Sequence, residues 1–250
     1  MQIEIISMWY NEEFLAPLFL QHYAFADRIT VLFDTDTTDG TLPLLKACPK
    51  VTVVPVNSGD KLNDFFMRDT YNKQYLQSTA DWIVVADADE FIFPLSHDYD
   101  LRKYLESRHN LPENVIKTKL CAVFRHVSDV DIDRTKPPIF QRRHGVREGW
   151  PGCGAVYNKP VICRPRVHDG WTHGRHYLLS ASGVKISTEM VFGTHWRSAD
   201  PDFTLKRRLE QKNRMGKANI AAGYCRSYLL CTEKNILEEN QNHLHDALLF

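Results

Sequence analysis

The chain has 250 residues, 43% of them hydrophobic, and its 31 basic and 31 acidic side chains cancel. That length and apolar fraction can fill one large core, while zero net charge gives no bulk field to draw in nucleic acid or an anionic membrane. Cysteines at 48, 121, 153, 163, 225 and 231 are scattered without a CxxC pair, so they read as reduced thiols of a cytoplasmic protein rather than a disulfide frame.

A short strand is expected over residues 3–7, early enough to leave no room for a leader peptide. Asn11-Glu12-Glu13 then reads as a helix start, and Phe14, Leu15, Leu18, Phe19 and Tyr23 repeat at helical spacing to form one apolar face. A second strand over 29–33 ends in Asp34-Thr35-Asp36-Thr37-Thr38-Asp39-Gly40-Thr41, a segment dense in turn formers and helix caps, with a short helix to Lys46 after it. A third strand covers 51–54, and a helix over 62–77 turns Leu62, Phe65, Phe66, Tyr71 and Leu76 inward. No apolar run approaches the roughly 20 residues that cross a bilayer, so any membrane contact would be peripheral.

The fourth strand opens as Trp82-Ile83-Val84-Val85-Ala86, an unbroken apolar run that suits burial on both faces. It leads directly into Asp87-Ala88-Asp89-Glu90. On an extended chain Asp87 and Asp89 face one side, and Ala88 and Glu90 the other. Two desolvated carboxylates aimed together repel each other. A divalent cation with hard-oxygen preference, Mg²⁺ or Mn²⁺, relieves that repulsion, which makes the segment a metal-site candidate.

Four strands alternating with helices over the first 90 residues imply an α/β fold with a mostly parallel sheet and helices on both faces. Ligands bind beyond the carboxyl ends of such strands, where the Asn11, Asp34 and Asp87 clusters all fall. After Pro94 the pattern is less regular. A brief helix is expected over 101–107, strands over 115–125, 161–163, 185–187 and 190–194, and helices over 202–215 and 232–243. Lys206-Arg207-Arg208 with Lys212, Arg214 and Lys217 reads as a solvated helix face, or else as a patch for an anionic lipid or substrate. His168, His173, His176 and His195 gather near Cys153 and Cys163, although their spacing fits no structural zinc pattern. Trp150, Trp171 and Trp196 could stack on sugar rings or simply fill a core.

In order and spacing, the three polar clusters resemble the family 2-like glycosyltransferases of the GT-A fold. The segment from Asp34 is similar to that family's Asp-Asp-Gly-Ser-Thr-Asp-Gly-Thr. Asp87-Ala88-Asp89-Glu90-Phe91 is similar to its Asp-x-Asp motif in a subgroup that continues Glu-Phe. The resemblance covers about the first 95 residues. It implies a single GT-A-like domain over 1–250, with a nucleotide-sugar and metal half (1–95), a less regular acceptor half (96–200) and a helical C-terminal extension (201–250).

It also implies residue roles. Asp34 would lie beside the base of a UDP-linked sugar, Asn11 and Glu12 near the nucleoside, Asp87 at the ribose or near the metal through water, and Asp89 on the metal. A late histidine, here His195, would complete the metal shell and favour Mn²⁺ over Mg²⁺. Thr35 and Asp36 depart from the family's commoner acid and glycine.

Glycosyl transfer builds negative charge on the departing diphosphate. A cation there acts in the transition state, and Arg68 or Arg197 could assist. An inverting transferase needs a carboxylate to take the acceptor's proton. Glu148 and Asp169, in glycine- and aromatic-rich loops, are the first candidates and Asp131 the third. The acceptor would be a glycan or another hydroxyl-bearing molecule. Two other classes stay open: a nucleotidyltransferase, and a sugar-binding module without turnover. Against the former, Met8-Trp9-Tyr10-Asn11 stands where a glycine-rich basic phosphate loop would be expected.

Overall fold

A computed structural model describes residues 1–146, 158–180 and 182–250. The apolar runs expected as strands pair in parallel: β1 (Ile3–Trp9) lies between β2 (Arg28–Asp34) and β4 (Trp82–Val85), and β3 (Val51–Val56) pairs with β2 at the edge. Pro55 has no N–H to give a ladder, and the edge position of β3 accommodates it. The connections are α1 (Ala16–His22), α2 (Thr41–Lys46) and α3 (Asp64–Gln77). Pro17 supplies the fixed φ of a first helical turn in α1. Asn63 caps α3 by accepting from the amides of Phe65 and Phe66.

The second half adds β5 (Glu90–Phe93), α4 (Leu101–Ser107), β6 (Val115–Phe124), β7 (Gly145–Val146), β8 (Asn158–Cys163) and β9 (Val191–Ser198). Four helices follow: α5 (Pro201–Asn213), α6 (Lys217–Ala222), α7 (Arg226–Leu229) and α8 (Glu233–Asn242). Among the described residues, nine strands form one mixed sheet in the order β3-β2-β1-β4-β8-β6-β9-β5, with β7 on β6. The first four strands pair with one another wholly in parallel, and every antiparallel pair includes a strand of the second half, β4 pairing in this way with β8.

That order forces the sheet to curl. β5 is four places from β4, which in a flat sheet would be roughly 19 Å at about 4.8 Å per strand. Yet only residues 86–89 join them, and five Cα steps reach at most about 18 Å even when fully extended. The joining segment is not extended: Glu90 N–H donates to Asp87 C=O at 2.9 Å across a tight turn. The far strands must therefore bend back over the ends of the near ones.

This turn corrects the expectation that Asp87 and Asp89 continue an extended strand, because β4 ends at Val85. Residues 185–187 form no strand either; Ile186 makes a single bridge to Val115. Trp171 and Trp196 are fully buried, so they serve the core, and Trp150 lies outside the described residues. Among the described residues, Cys48, Cys163, Cys225 and Cys231 are free cysteines. No helix among the described residues is long and apolar enough to cross a membrane.

His22, on the inner face of α1, bonds the Ile92 carbonyl through Nε2 at 3.0 Å and stands edge-on to Phe91. Burial lowers its pKa from 6.5 to about 4. Above pH 6.5 both folded and unfolded chains keep this ring neutral; below it the unfolded chain takes up a proton that the folded chain refuses. Stability is thus expected to fall as pH drops from 6.5 through 4, by on the order of 3 kcal/mol for this group. Urea unfolding across that range should show the loss, and His22→Gln, which keeps a donor for the carbonyl, should flatten it.

Candidate active site

The carboxyl ends of β1 and β4 adjoin where the strand order reverses, the place at which open α/β sheets bind ligands. A cleft of roughly 300 Å³ lies there, lined by Tyr10 and Glu12 after β1, Asp34 at the end of β2, and Asp87 and Asp89 after β4. Arg68 lines it from α3, His195 and Arg197 from β9, Arg207 from α5 and Arg214 from the cap just past its end. Lys159 of β8 and Arg175, in a short 3₁₀ turn (His173–Arg175), complete its floor.

The acidic turn is held by a buried quartet of charges. Lys159 Nζ bonds Glu90 Oε1 and lies 3.9 Å from Asp87 Oδ2, while Arg175 bonds Asp87 Oδ2 and lies 3.9 Å from Glu90 Oε2. Glu90 Oε2 also accepts from the Asp87 amide at 3.0 Å. Glu90 therefore faces the same group as Asp87, contrary to the alternation of an extended chain, because the turn rotates it back. Tyr71 of α3 donates to Asp87 Oδ1 at 3.0 Å, accepts from Met8 N–H at 2.8 Å, and lies under the Arg175 guanidinium. Burial would raise the Asp87 carboxyl, but Arg175 and Lys159 hold it below its ordinary value.

Asp89 has other partners. Its Oδ2 is 3.4 Å from His195 Nε2 and 3.5 Å from Arg207, and the Trp196 amide donates to its carbonyl at 2.7 Å. Burial opposes ionisation here too, yet Arg207 and His195 hold the Asp89 carboxyl far below the usual range. Arg207 also forks onto Glu12 at 2.8 and 3.1 Å. Burial, together with the charges of Asp89 and Asp87, pushes the Glu12 carboxyl up to about 8 against that attraction.

The GT-A resemblance implies a divalent metal, and the donor set fits one in part. Asp89 and His195 offer a hard oxygen and an imidazole nitrogen side by side on the cleft wall, a pair suited to Mn²⁺. Asp87 does not join them, since Tyr71 and Arg175 engage both of its carboxylate oxygens. Among the described residues, no three His, Cys, Asp or Glu side chains gather as a metal shell, so the expected set of Asp87, Asp89 and His195 is not assembled. A metal here would draw its remaining ligands from a diphosphate and water. Among the described residues the other histidines and cysteines gather into no zinc site: His168 stacks on Tyr75 and lies 3.3 Å from Cys163 in the core, and Cys153 lies outside the described residues.

The remaining expected residues divide. Asp34 lies in the cleft, bonded to Arg214 at 2.6 Å. Arg68 lines it too, paired with Asp69 and 3.4 Å from His173; Arg197 lies over the Tyr228 ring. Asn11 sits instead in a neighbouring groove, tying the β1 turn to the β2 loop by accepting from Thr38 N–H at 2.8 Å. Asp169 is exposed and does not line the cleft. Asp131 is also exposed and pairs with Arg125. Glu148 lies outside the described residues.

The basic segment of α5 is not the solvated face expected of it. Arg207 and Arg214 enter the cleft, and Arg208 is buried on Ser198 and Glu239. Their seven-residue spacing puts Arg207 and Arg214 on one helix face, a signal that could have singled them out. Lys159 and Arg175 were missed, and the only hint in the sequence is a lysine just ahead of the apolar run 160–163.

No protein-family model and no curated protein matches the chain. Among solved structures it is similar to residues 1–349 of S. aureus TarS, at 15% identity and a TM-score of 0.44, over 97% of this chain and 71% of that one. It covers 43% of the longer TarS structure, and the 1–349 form is also known with UDP and with UDP-GlcNAc. Glucosyl-3-phosphoglycerate synthase from Mycobacterium tuberculosis, solved with Mn²⁺, UDP and phosphoglyceric acid, is similar at 16% identity and a TM-score of 0.34, over 48% of this chain and 43% of that one. HddC from Yersinia pseudotuberculosis is similar at 15% identity and 0.42, over 81% and 96%.

The quartet makes a stability prediction. Lys159→Met leaves Glu90 buried beside Asp87 with Arg175 alone to balance them, and should cost about 3–5 kcal/mol, as removing one partner of a buried pair does. Adding Glu90→Gln should restore most of that loss in urea unfolding, because the stranded charge is gone.

Proposed function

We propose that the chain is a glycosyltransferase that moves a sugar from a nucleoside diphosphate, UDP in the first instance, to a hydroxyl-bearing acceptor such as a glycan. One observation carries this reading: the acidic clusters after three parallel strands meet five basic side chains from the second half in a single cleft at the strand ends. Such a cleft suits an anionic ligand with a flat base at one end, beside Tyr10 and Asp34, and a diphosphate at the other.

On this reading Asp34 reads the base edge through its carboxylate, and Glu12 and Asp87 face the nucleoside and ribose. Arg197 and Arg207 meet the diphosphate, with Arg68 at its margin, above a floor in which Lys159 and Arg175 are balanced by Glu90 and Asp87. As the bond from C1 to the diphosphate oxygen breaks, the electron pair leaves with the phosphate. Positive groups fixed in a partly buried site stabilise that growing charge without reorganising. Asp89 and His195 would hold a divalent ion, which when bound adds Lewis-acid neutralisation of the leaving group. The acceptor oxygen forms the new bond at C1, with inversion, and its proton passes to a carboxylate. Of the two first choices, Glu148 keeps that role in the proposal, whereas exposed Asp169 lies away from the cleft.

A panel of nucleotide-sugars with Mn²⁺ and simple glycan acceptors tests the reading, with release of free nucleoside diphosphate as the signal. Pyrophosphate release from a nucleoside triphosphate and a sugar phosphate would instead mark a nucleotidyltransferase, and sugar binding without turnover a recognition module.

His195→Ala should raise the Mn²⁺ concentration needed for half-maximal turnover by roughly tenfold or more, since loss of a ligand should cost at least as much as loss of an outer-shell partner. It should leave calorimetric UDP binding without metal unchanged. Equal Mn²⁺ titrations of the two proteins in the presence of UDP, followed by the ion's magnetic resonance signal, would remove His195 from the metal's surroundings.

A further inference from the structure

The place proposed for the base is filled by a side chain of the protein itself. The Arg214 guanidinium carbon lies 3.2 Å from the centre of the Tyr10 ring, in van der Waals contact, with no room for a second plane between them. The same guanidinium donates to Asp34 Oδ2 at 2.6 Å, and Asp34 Oδ1 accepts from the Asp36 amide at 2.9 Å. A flat group carrying N–H donors along its edge, stacked on an aromatic ring and bonded to a carboxylate, has the two contacts a nucleobase would make there. Both Arg214 and Asp34 are mostly buried, with side-chain exposures of 13% and 18%.

The main chain behind Arg214 is pinned. Its carbonyl accepts from Leu62 N–H at 2.9 Å, and Gly216 N–H donates to the Leu62 carbonyl at 2.9 Å. A side chain at Gly216 would strike the Asp60 carbonyl oxygen at 2.2 Å, so the two segments touch through bare backbone. Asp60 also accepts from the Lys217 and Ala218 amides that open α6. Asn57, from the same loop, bonds Thr35 and Asp36. The helix end cannot swing away without breaking this set; the guanidinium can, by rotation about its own side-chain bonds.

We infer that Arg214 is a side-chain gate on the nucleotide site: it occupies the base position in the free protein, and an incoming base must displace it from Tyr10 and Asp34. This rests on the nucleotide-sugar reading above. A closed gate lowers apparent affinity in proportion to the fraction of molecules in which it is open, and it does so for the base alone, leaving the diphosphate end of the cleft untouched.

Calorimetry with uridine, UDP and inorganic pyrophosphate on the full chain, its Arg214→Ala variant and its Arg214→Lys variant tests the gate. Arg214→Ala should tighten uridine and UDP by the same factor, about fivefold or more, and leave pyrophosphate within twofold. Arg214→Lys keeps a cation for Asp34, and with it the fold, but cannot lie flat on Tyr10; it should fall between the other two. Thermal melts establish that each variant is folded. If wild-type protein binds uridine and folded variants bind it no more tightly, the gate is wrong while the nucleotide reading stands; weaker binding would make Arg214 a contact to the nucleotide. If none of the three proteins binds uridine or UDP, the nucleotide reading fails and the gate with it.

Discussion

The rest of the site depends on the neutralisation of Asp87 and Glu90 by Lys159 and Arg175. Two carboxylates three residues apart on a tight turn, one wholly buried, would repel each other at a high desolvation cost without cations close by. Both cations come from the second half of the chain, one on a strand next to β4 and one on a short turn packed against α3. The quartet is thus a charge requirement and a topological one. It binds the second half to the carboxyl ends of the parallel strands at the point where the sheet must curl.

Because the quartet balances itself, the charges left to act on a ligand lie around it. Asp89 is turned toward His195 and Arg207, while Asp87 is turned toward Arg175 and Tyr71. Two acids of the same type, two residues apart, therefore have different surroundings and different uses. Asp89 has the neighbours of a ligand-binding group; Asp87 is tied into the framework and can offer a ligand only what the guanidinium beside it leaves open. The chain's zero net charge conceals this concentration of paired ions in one cleft.

Helix α5 spans the cleft with little apolar surface. Besides Phe203, which stacks on Phe14, its inward contacts come from Arg207, Arg208 and, at its C-cap, Arg214, which reach acids at positions 12, 239 and 34 respectively. Guanidinium groups suit this use, since each can fork onto a carboxylate while its stem and plane cover an aromatic ring. Such a face can be rearranged by a competing anion or planar donor more readily than a leucine face can, because its bonds have direct substitutes in a ligand.

The sequence by itself determined the four parallel strands, the helices between them, and the gathering of the Asp34, Asp87 and Asp89 clusters at one end of the sheet. These follow from local periodicity, caps and turn formers, and a parallel crossover leaves little freedom in where strand ends lie. Only the tertiary structure decided which acids face a ligand and which are neutralised, because their partners lie far along the chain: Lys159 is 69 residues from Glu90, and Arg207 is 195 from Glu12. No local pattern encodes such pairings, and a basic helix stretch reads the same in solvent or over a cleft. The tight turn after Val85 likewise escaped a reading that extended the strand through Asp89, since Ala-Asp-Ala-Asp carries no glycine or proline to mark it. What required it was the curl of the whole sheet, a constraint set by strands as far along the chain as β9 (Val191–Ser198).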